Sequence, residues 1–194
     1  GYHRVKLKIS PGADLALLTV VRKSFPNLPL MVDANGSYAG QEIDALQALD
    51  EFNLLMIEQP LSPQDLRGHA DLQRQIQTPI CLDESIRGLF DTAEAIRQSA
   101  CRFINIKQGR VGGMLVAKAI HDMACDAPLP VWSGGMLETG IGRAFNLHLQ
   151  TLPGFQTPGD TSETRRYFEK DLVFPGVTLD EKGYMAIPSG PGIG

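Results

Sequence analysis

Short apolar runs alternate with amphipathic segments along most of the chain. Each run has the length of a buried strand, and between the runs alanine, leucine and valine recur at helical spacing. We predict seven strands, near residues 4–9, 28–34, 54–58, 78–83, 102–107, 129–133 and 155–159. We predict helices over residues 14–24, 41–52, 63–76, 91–99, 114–124 and 141–152. Regular alternation of strand and helix indicates an α/β fold with a parallel sheet.

Four of the predicted strands end on a charged residue at a nearly constant spacing. Asp33, Glu58 and Asp83 follow one another at intervals of 25 residues, and Lys107 comes 24 residues later. One strand, one helix and two loops fill such a period, so these side chains are expected at the C-terminal ends of adjacent strands of a barrel. A doubly wound open sheet is the rival architecture, but its ligands gather at a single switch point. Three carboxylates at one end predict a site for a hard cation, most simply Mg²⁺.

Two further lysines alternate on the first predicted strand. Lys6 and Lys8 are two residues apart, so both point to the side opposite Leu7 and Ile9, which in a barrel is the interior. Lysines are seldom buried unless they line a polar pocket. Two ammonium groups near a divalent cation destabilise each other's charge, which favours a neutral lysine that can act as a general base. Lys107 provides a second candidate base.

This combination suits the removal of a proton from a carbon next to a carboxylate. Such a proton is weakly acidic, and its loss leaves an ene-diolate whose charge needs stabilisation. A divalent cation can hold the carboxylate oxygens and absorb that charge, while a positioned lysine takes the proton. The pattern therefore predicts an enzyme that acts on a small carboxylate.

Composition and charge narrow the possible partners. The chain has 194 residues, of which 43% are hydrophobic and 21% charged, and its formal net charge is −4. The one basic pair, Arg165 and Arg166, does not make a surface for nucleic acid or for an anionic membrane. Cys81, Cys101 and Cys125 lack metal-ligand spacing, so we expect reduced thiols and a cytoplasmic location. No apolar stretch is long enough to span a bilayer.

The βα pattern covers residues 1–172, which we predict to form the barrel with the site. Residues 173–194 are rich in glycine and proline, and we expect them to pack as a tail on the barrel or on another domain. Seven strands are one fewer than a complete barrel has. We therefore expect a preceding region that carries at least one more barrel strand.

Several motifs together resemble one family. The segments are KLKISPG, VDANG, IEQPL, TPICLDES, NIKQGRVGG, VWSGGMLETGIGRA and PGDTS. In this order they resemble the barrel domain of the enolase superfamily, in its muconate lactonizing enzyme-like subgroup, and within that the o-succinylbenzoate synthase and N-acylamino acid racemase family. The resemblance implies a TIM-type (β/α)7β barrel, here without its N-terminal capping domain and its first strand.

The resemblance also implies a role for each residue that matches a family motif. It assigns the acid/base chemistry to Lys8 and Lys107. It makes Asp33, Glu58 and Asp83 the ligands of Mg²⁺, for which Mn²⁺ or another divalent cation can substitute. The family more often has cysteine than Ser133 before the GGM segment, a change that leaves the chemistry in place.

Other residues beside these motifs are candidates for substrate binding or for orienting the ligands. Lys6, Asn35 and Glu84 neighbour the predicted acid/base and metal residues, although a loop asparagine or glutamate bonded to its own backbone is an equally good reading. A second group follows the strand near residue 131 and resembles the family's pocket loop: Ser133, Gly134, Gly135, Met136 and Leu137. Glycines let a backbone approach a ligand closely, although a plain turn would have the same composition.

The sequence leaves three possible functions for this chain. The first is a Mg²⁺-dependent lyase of the o-succinylbenzoate synthase type, a dehydration in menaquinone biosynthesis, in which Lys8 removes the proton and Lys107 acts mainly through its charge. The second is an N-acylamino acid racemase, in which Lys8 and Lys107 act on opposite faces of one carbon, and one protein can have both activities. The third is an inactive, truncated binding or assembly module. The family implies a homo-oligomer.

Overall fold

The computed structural model describes residues 2–194, and in this part of the chain strands alternate with helices. The strands are β1 (Val5–Lys8), β2 (Leu30–Asp33), β3 (Ile57–Glu58), β4 (Ile80–Leu82), β5 (Phe103–Ile106) and β6 (Val131–Ser133). The α-helices are α1 (Leu15–Ser24), α2 (Ile43–Ala48), α3 (Leu66–Gln75), α4 (Leu89–Gln98), α5 (Gln108–Val111), α6 (Met114–Asp126) and α7 (Gly140–Leu149). Short 3₁₀ turns span Gly40–Glu42, Leu49–Phe52 and Thr164–Arg166. The α/β class predicted from the sequence is confirmed.

The contacts within the chain divide it into two compact units. The first unit is His3–Ile104, and the second is Asn105–Gly194 together with Tyr2. The first unit contains β1 to β4, α1 to α4 and the start of β5. The second contains the end of β5, α5 to α7 and β6.

The first unit is built on parallel strands that pair in the order of the chain. In register, Lys8 lies opposite Asp33 on β1 and β2, and Asp33 lies opposite Glu58 on β2 and β3. On β3 and β4, Glu58 lies opposite Cys81, so Asp83 lies two residues further along its strand direction. Every residue of β2, β3 and β4 is buried, as expected of a parallel sheet covered by helices.

Two helices of the first unit, α1 and α3, begin at side-chain caps. Asp14 accepts a hydrogen bond from the backbone N–H of Leu15 at the start of α1, and Asp65 accepts one from Gly68 at the start of α3. Acceptors at these positions satisfy backbone donors that have no partner inside the helix. Asp14 also accepts a hydrogen bond of 2.7 Å from the Tyr38 hydroxyl, and burial together with this carboxylate raises the pKa of Tyr38. Asp14 therefore links its own loop, after β1, to the loop after β2 that contains Tyr38.

The second unit departs from the predicted pattern at two places. The predicted strand near residues 155–159 is wrong, since only Phe155 pairs, through a single parallel bridge to Val131. Pro158 has no N–H to donate, so a strand cannot be continued through it with regular pairing. The other difference is the short helix α5 directly after β5, in a segment whose glycines did not predict a helix.

The remaining helices form where the periodicity predicts them, with shifted ends. The predicted helix over residues 41–52 is divided into α2 and its two flanking 3₁₀ turns. The longest helix is α6, with 13 residues. Between residues 2 and 194, no helix combines the length and the apolar character that crossing a membrane requires.

The tail, residues 173–194, contains no helix and no strand among the described residues beyond one bridge between Leu179 and Met185. Hydrogen bonds to Glu163 and His148 are among its contacts with the rest of the second unit. The Leu179 N–H donates to the carboxylate of Glu163 at 2.7 Å, and the carbonyl of Ile193 lies 3.2 Å from a ring nitrogen of His148. The departure from the βα pattern is confirmed, whereas packing on another domain stays a prediction.

Candidate active site

Three carboxylates predicted from the sequence are among the most buried charged groups of the first unit. Asp33 is 1% exposed, and Glu58 and Asp83 are both 0% exposed. Asp33 and Glu58 end β2 and β3 in register, and Asp83 directly follows β4. Burial of a carboxylate is costly unless a cation or several hydrogen bonds compensate the charge. The groups that contact these carboxylates therefore determine how their buried charge is compensated.

Lys6 lies between two of the carboxylates. Its Nζ is 3.4 Å from Asp33 Oδ2 and 3.3 Å from Glu58 Oε2. One ammonium group therefore neutralises part of the charge on two neighbouring strands. Only 22% of the Lys6 side chain is exposed, so this interaction is less screened by solvent than a surface ion pair.

Lys8 approaches the same carboxylate from a more open position. Its Nζ donates to Asp33 Oδ2 at 2.6 Å and to Asn35 Oδ1 at 2.5 Å, while 64% of its side chain stays exposed. The two lysines thus contact one oxygen of Asp33, in agreement with their shared face of β1. Lys8 is thus the more exposed of the two lysines, whereas Lys6 is enclosed between Asp33 and Glu58.

Asn35 links three of the predicted residues. Its side-chain oxygen accepts from Lys8, and its Nδ2 donates to Glu84 Oε1 at 2.8 Å. Its backbone N–H also donates to Asp33 Oδ1 at 3.0 Å, which is the local turn expected of a loop asparagine. Asn35 has φ of 44°, a left-handed conformation that asparagine tolerates better than most residues. Asn35 thus bonds within its own loop and also joins the loops after β2 and β4, and its role in orienting the ligands stays a prediction.

One residue that the sequence analysis missed lies between two predicted ligands. Gln59 follows Glu58, is 0% exposed, and accepts a hydrogen bond from the backbone N–H of Asp83 at 2.9 Å. It also faces His69, whose pKa is lowered by burial. The sequence signal for Gln59 was its place between an acidic residue predicted to be buried and a proline. An amide buried at a strand end needs hydrogen-bond partners, so such a side chain would be expected to bond to a neighbouring loop.

The three buried carboxylates have the donor chemistry of a cation site. Carboxylate oxygens are the ligands of hard cations such as Mg²⁺, and three buried carboxylates at adjacent strand ends supply the right donor type. As the side chains stand, however, residues 2–194 contain no group of three His, Cys, Asp or Glu residues spaced to hold a metal ion. The donor chemistry fits Mg²⁺, with Lys6 supplying positive charge beside Asp33 and Glu58, and the ligand assignment stays a prediction.

In the second unit, Gly134 makes room for Lys107. A methyl group on Gly134 would come within 2.6 Å of Lys107 Cε and within 2.4 Å of Asn105 Oδ1. The Gly134 N–H donates to the carbonyl of Ile106 at 3.3 Å, so this glycine lies directly beside the end of β5. The side chain of Lys107 therefore runs along the backbone of the loop after β6, and a larger residue at position 134 would displace it.

The other residues of this loop differ in accessibility. Ser133 is 0% exposed, and its hydroxyl has no hydrogen-bond partner among residues 2–194. Gly135 packs against the carbonyl of Asp160, which a methyl group would approach to 2.6 Å. Met136 and Leu137 are 46% and 71% exposed. Of the predicted pocket residues, Met136 and Leu137 thus present open apolar surface, while Ser133 lies beneath the loop. Contact of any of them with a substrate stays a prediction.

Comparison with known proteins gives a consistent relationship over the whole chain. The family model described as enolase C-terminal domain-like matches residues 1–194. An o-succinylbenzoate synthase from Geobacillus kaustophilus is 51% identical over 194 residues, covering 100% of this chain and 52% of that protein. An N-succinylamino acid racemase from Amycolatopsis sp is 49% identical over 195 residues, again with 100% and 52% coverage. The chain spans about half the length of the curated relatives it matches.

Solved structures agree with the sequence matches. A member of the enolase superfamily from Enterococcus faecalis V583 superimposes with a TM-score of 0.93 at 49% identity, covering 100% of this chain and 52% of that one. A dipeptide epimerase from the same organism, solved with Mg and the dipeptide L-Leu-L-Tyr, gives a TM-score of 0.90 at 28% identity, with 100% and 56% coverage. The fold is that of the enolase-superfamily barrel domain, as the sequence predicted.

Proposed function

The chain belongs to the enolase C-terminal domain-like family, and from that premise we propose that it removes the proton next to a carboxylate of a small substrate in a Mg²⁺-dependent reaction. The observation that carries the proposal is the lysine and carboxylate cluster of the first unit. There, Lys8 is 64% exposed and contacts Asp33, while Lys6 is enclosed between Asp33 and Glu58. An accessible base beside buried carboxylates is what this chemistry requires.

The residues divide the work by their accessibility. When bound by Asp33, Glu58 and Asp83, Mg²⁺ supplies the positive charge that stabilises an ene-diolate. Lys8 takes the proton at Nζ as the neutral amine, and Asp33 and Asn35 orient this nitrogen by accepting its hydrogen bonds of 2.6 and 2.5 Å. Lys6 stays as the fixed charge that allows Asp33 and Glu58 to be buried side by side.

We propose the o-succinylbenzoate synthase reaction, a dehydration, as the main activity. Close relatives carry that name, including the one from Geobacillus kaustophilus. In this reaction Lys8 removes the proton and then assists the loss of water, while Lys107 contributes mainly its charge.

N-succinylamino acid racemisation is the second candidate, because the relative from Amycolatopsis sp is named for it at 49% identity. Racemisation needs an acid/base group on each face of the α-carbon, and Lys107 is the residue that we propose for the second face. The specific observation in its favour is the room that Gly134 provides for the Lys107 side chain. Both reactions begin with the same proton removal, so one protein can perform both.

Exchange of the α-proton in D₂O tests this proposal. We expect an N-succinyl amino acid incubated with the protein and Mg²⁺ to exchange its α-proton, as followed by NMR. The Lys8→Ala and Lys107→Ala variants should lose exchange or retain it for one enantiomer only. No exchange with metal bound would contradict the proposed chemistry and favour an inactive binding module. A synthase assay on the same variants then ranks dehydration against racemisation.

The metal is tested separately from the chemistry. Glu58→Gln removes one predicted ligand charge with little change of shape, so we expect the thermal midpoint to rise with Mg²⁺ in the parent and to stay constant in the variant. A parent midpoint that does not respond to Mg²⁺ would contradict the cation site.

The three cysteines are free thiols, which supports the expected cytoplasmic location. A homo-oligomer stays a prediction.

A further inference from the structure

We propose that Gln59 is a positioning residue that fixes the distance between Glu58 and Asp83. Gln59 lies between these two predicted ligands and touches neither carboxylate in any described hydrogen bond; its contacts are to backbone, to Ser85 and to His69. The inference rests on the proposed function, because it concerns the binding of Mg²⁺ by Glu58 and Asp83. It assigns a role to a buried amide that the proton-transfer chemistry does not use.

The side chain of Gln59 clamps the loop after β4. Its Oε1 accepts from the backbone N–H of Asp83 at 2.9 Å and from that of Ser85 at 3.1 Å. Its Nε2 donates to Ser85 Oγ at 2.8 Å and to the carbonyl of Leu61 at 3.1 Å. These partners fix the orientation of the amide, because two N–H donors must face its oxygen and a carbonyl must face its nitrogen. The backbone of Asp83 is thereby tied to the residue that follows Glu58.

The backbone of Gln59 makes the same connection in the other direction. Its N–H donates to the carbonyl of Cys81 at 2.8 Å, and its carbonyl accepts from the N–H of Gly36 at 2.7 Å. Gly36 belongs to the loop of Asn35, which orients Lys8 and contacts Glu84. Gln59 therefore joins the loops that follow three adjacent strands, and these loops carry the lysine contact and the predicted ligand Asp83.

The conformation of Gln59 is itself unusual. Its φ is 39°, in the left-handed region that a residue with a β-carbon seldom adopts, and the following Pro60 restricts it further. Such a conformation persists only when its surroundings outweigh its cost, and it is most frequent at functional sites. Here the left-handed turn directs the side chain sideways, toward the end of β4, instead of outward along β3.

His69 supports the clamp from α3. It is buried, its Nε2 accepts from the Leu61 N–H at 3.2 Å, and its Nδ1 lies 2.7 Å from the carbonyl of Asp65. The Leu61 backbone that receives Gln59 is therefore itself fixed. The carbonyl that receives the Gln59 amide thus belongs to a backbone segment with its own support from α3, which helps to hold the amide in place.

The first unit offers a matched control in Gln73. Gln73 is also buried, at 5% exposure, and its Oε1 accepts from the Ile80 N–H at 2.7 Å while its Nε2 donates to the carbonyl of Thr78 at 3.2 Å. It clamps the beginning of β4 in the same manner as Gln59 clamps the end. A purely structural role predicts equal consequences for both residues, whereas a positioning role predicts an effect on Mg²⁺ for Gln59 alone.

The experiment compares Gln59→Met with Gln73→Met, since methionine keeps the length of glutamine and removes its hydrogen bonds. Mg²⁺ affinity is measured by calorimetric titration, and amide hydrogen exchange is measured at Asp83 and Ser85 without metal. We expect Gln59→Met to weaken Mg²⁺ binding about 10- to 100-fold and to expose both amides to exchange. Raising the Mg²⁺ concentration should restore most of its α-proton exchange. Gln73→Met should keep the parent affinity.

Equal Mg²⁺ affinity in the parent and in Gln59→Met would overturn the inference and leave the proposed function standing. A parent that binds no Mg²⁺ would overturn both. If Gln59→Met does not fold, Gln59→Glu decides, because a carboxylate keeps the acceptor for the Asp83 and Ser85 N–H groups. These two amides should stay protected in Gln59→Glu, and fast exchange there would also overturn the inference.

Discussion

The two ends of the strands in the first unit use polar side chains differently. At the N-terminal ends, charged and amide groups are satisfied by backbone. At the C-terminal ends, carboxylates meet lysine ammonium groups, and the most accessible lysine stands at the surface of the cluster. This difference agrees with the general division of such barrels. Their active sites lie at the C-terminal ends of the strands, and contacts that stabilise the fold lie at the N-terminal ends.

Asp50 and Arg22 illustrate the N-terminal ends. Asp50 accepts hydrogen bonds from the Gln77 N–H, the Thr78 N–H and the Thr78 hydroxyl, at 2.8, 2.8 and 2.6 Å. Partial burial alone would raise the pKa of Asp50, but these hydrogen bonds outweigh it and lower the pKa. Arg22 donates to the carbonyls of Phe52 and Leu28 at 2.8 and 2.9 Å. Each charge here is bonded to the loop that it closes.

The C-terminal ends bury like charges beside each other. Asp33 and Glu58 lie in register on neighbouring strands and share the ammonium of Lys6. Their like charges repel, and the Lys6 ammonium, 3.4 Å from Asp33 Oδ2 and 3.3 Å from Glu58 Oε2, offsets part of that repulsion. The C-terminal ends therefore concentrate charges of both signs in one cluster, unlike the N-terminal ends.

Removal of the accessible base, Lys8, should have the largest effect on the difference between the two ends. In Lys8→Ala we expect α-proton exchange to fall by about 10²- to 10⁴-fold, the usual contribution of a general base. The thermal midpoint should hardly change, because the side chain is 64% exposed. NMR exchange rates and a melting curve on the same sample check both parts. A large loss of stability with retained exchange would assign Lys8 to the structural class.

The second unit extends the comparison to the ends of β5 and β6. Gly134→Ala should lower exchange by about 10²-fold, as expected for a misplacement of about 1 Å, because the new methyl group would displace Lys107 and the buried Asn105. Gly109→Ala is the control, since its methyl group meets only Met136 Sδ, at an ordinary 3.6 Å. Equal α-proton exchange rates in the two variants would show that the position of Lys107 does not depend on the space beside Gly134.

The N-terminal ends are tested by Asp50→Ala. Loss of its hydrogen bonds to Thr78 and Gln77 should lower the free energy of unfolding by about 1–3 kcal/mol, with exchange per folded molecule unchanged. Urea titration gives the first quantity and NMR the second. Asp71→Ala serves as the control, because its carboxylate is 49% exposed and pairs with Arg74 at the surface, which is worth less than about 1 kcal/mol. A fall in exchange for Asp50→Ala would remove the distinction between the ends.

The smallest effect is a pH dependence from His69. Burial lowers its pKa, so the unfolded chain binds this proton more readily than the folded protein. The stability that depends on neutral His69 is complete above about pH 6.5 and is lost as the pH falls below that value, by at most about 1.4 kcal/mol per pH unit. Urea titrations at several pH values should show this slope in the parent, and His69→Gln should lack it. An identical slope in both proteins would assign the effect elsewhere.

The sequence determined the order of elements and the residues at the strand ends. Period-two alternation placed Lys6 and Lys8 on one face, and the repeat of 25 residues placed Asp33 and Glu58 at equivalent points of neighbouring strands, which the register confirms. These features are local or periodic, so they can be read without knowledge of the packing. The short helix α5 and the missing seventh strand were not predicted, because glycine and proline there admit several backbone paths.

Only the tertiary structure decided how the strand ends are joined. Gln59 adopts a left-handed φ and reaches Asp83 across 24 residues of chain, and Asn35 reaches Glu84 across 49. Hydrogen bonds of this kind depend on distances between separate loops, and no periodicity in the sequence encodes them. The physical reason is that periodicity fixes which face a residue occupies, whereas the packing of neighbouring strands fixes which residues on that face can touch.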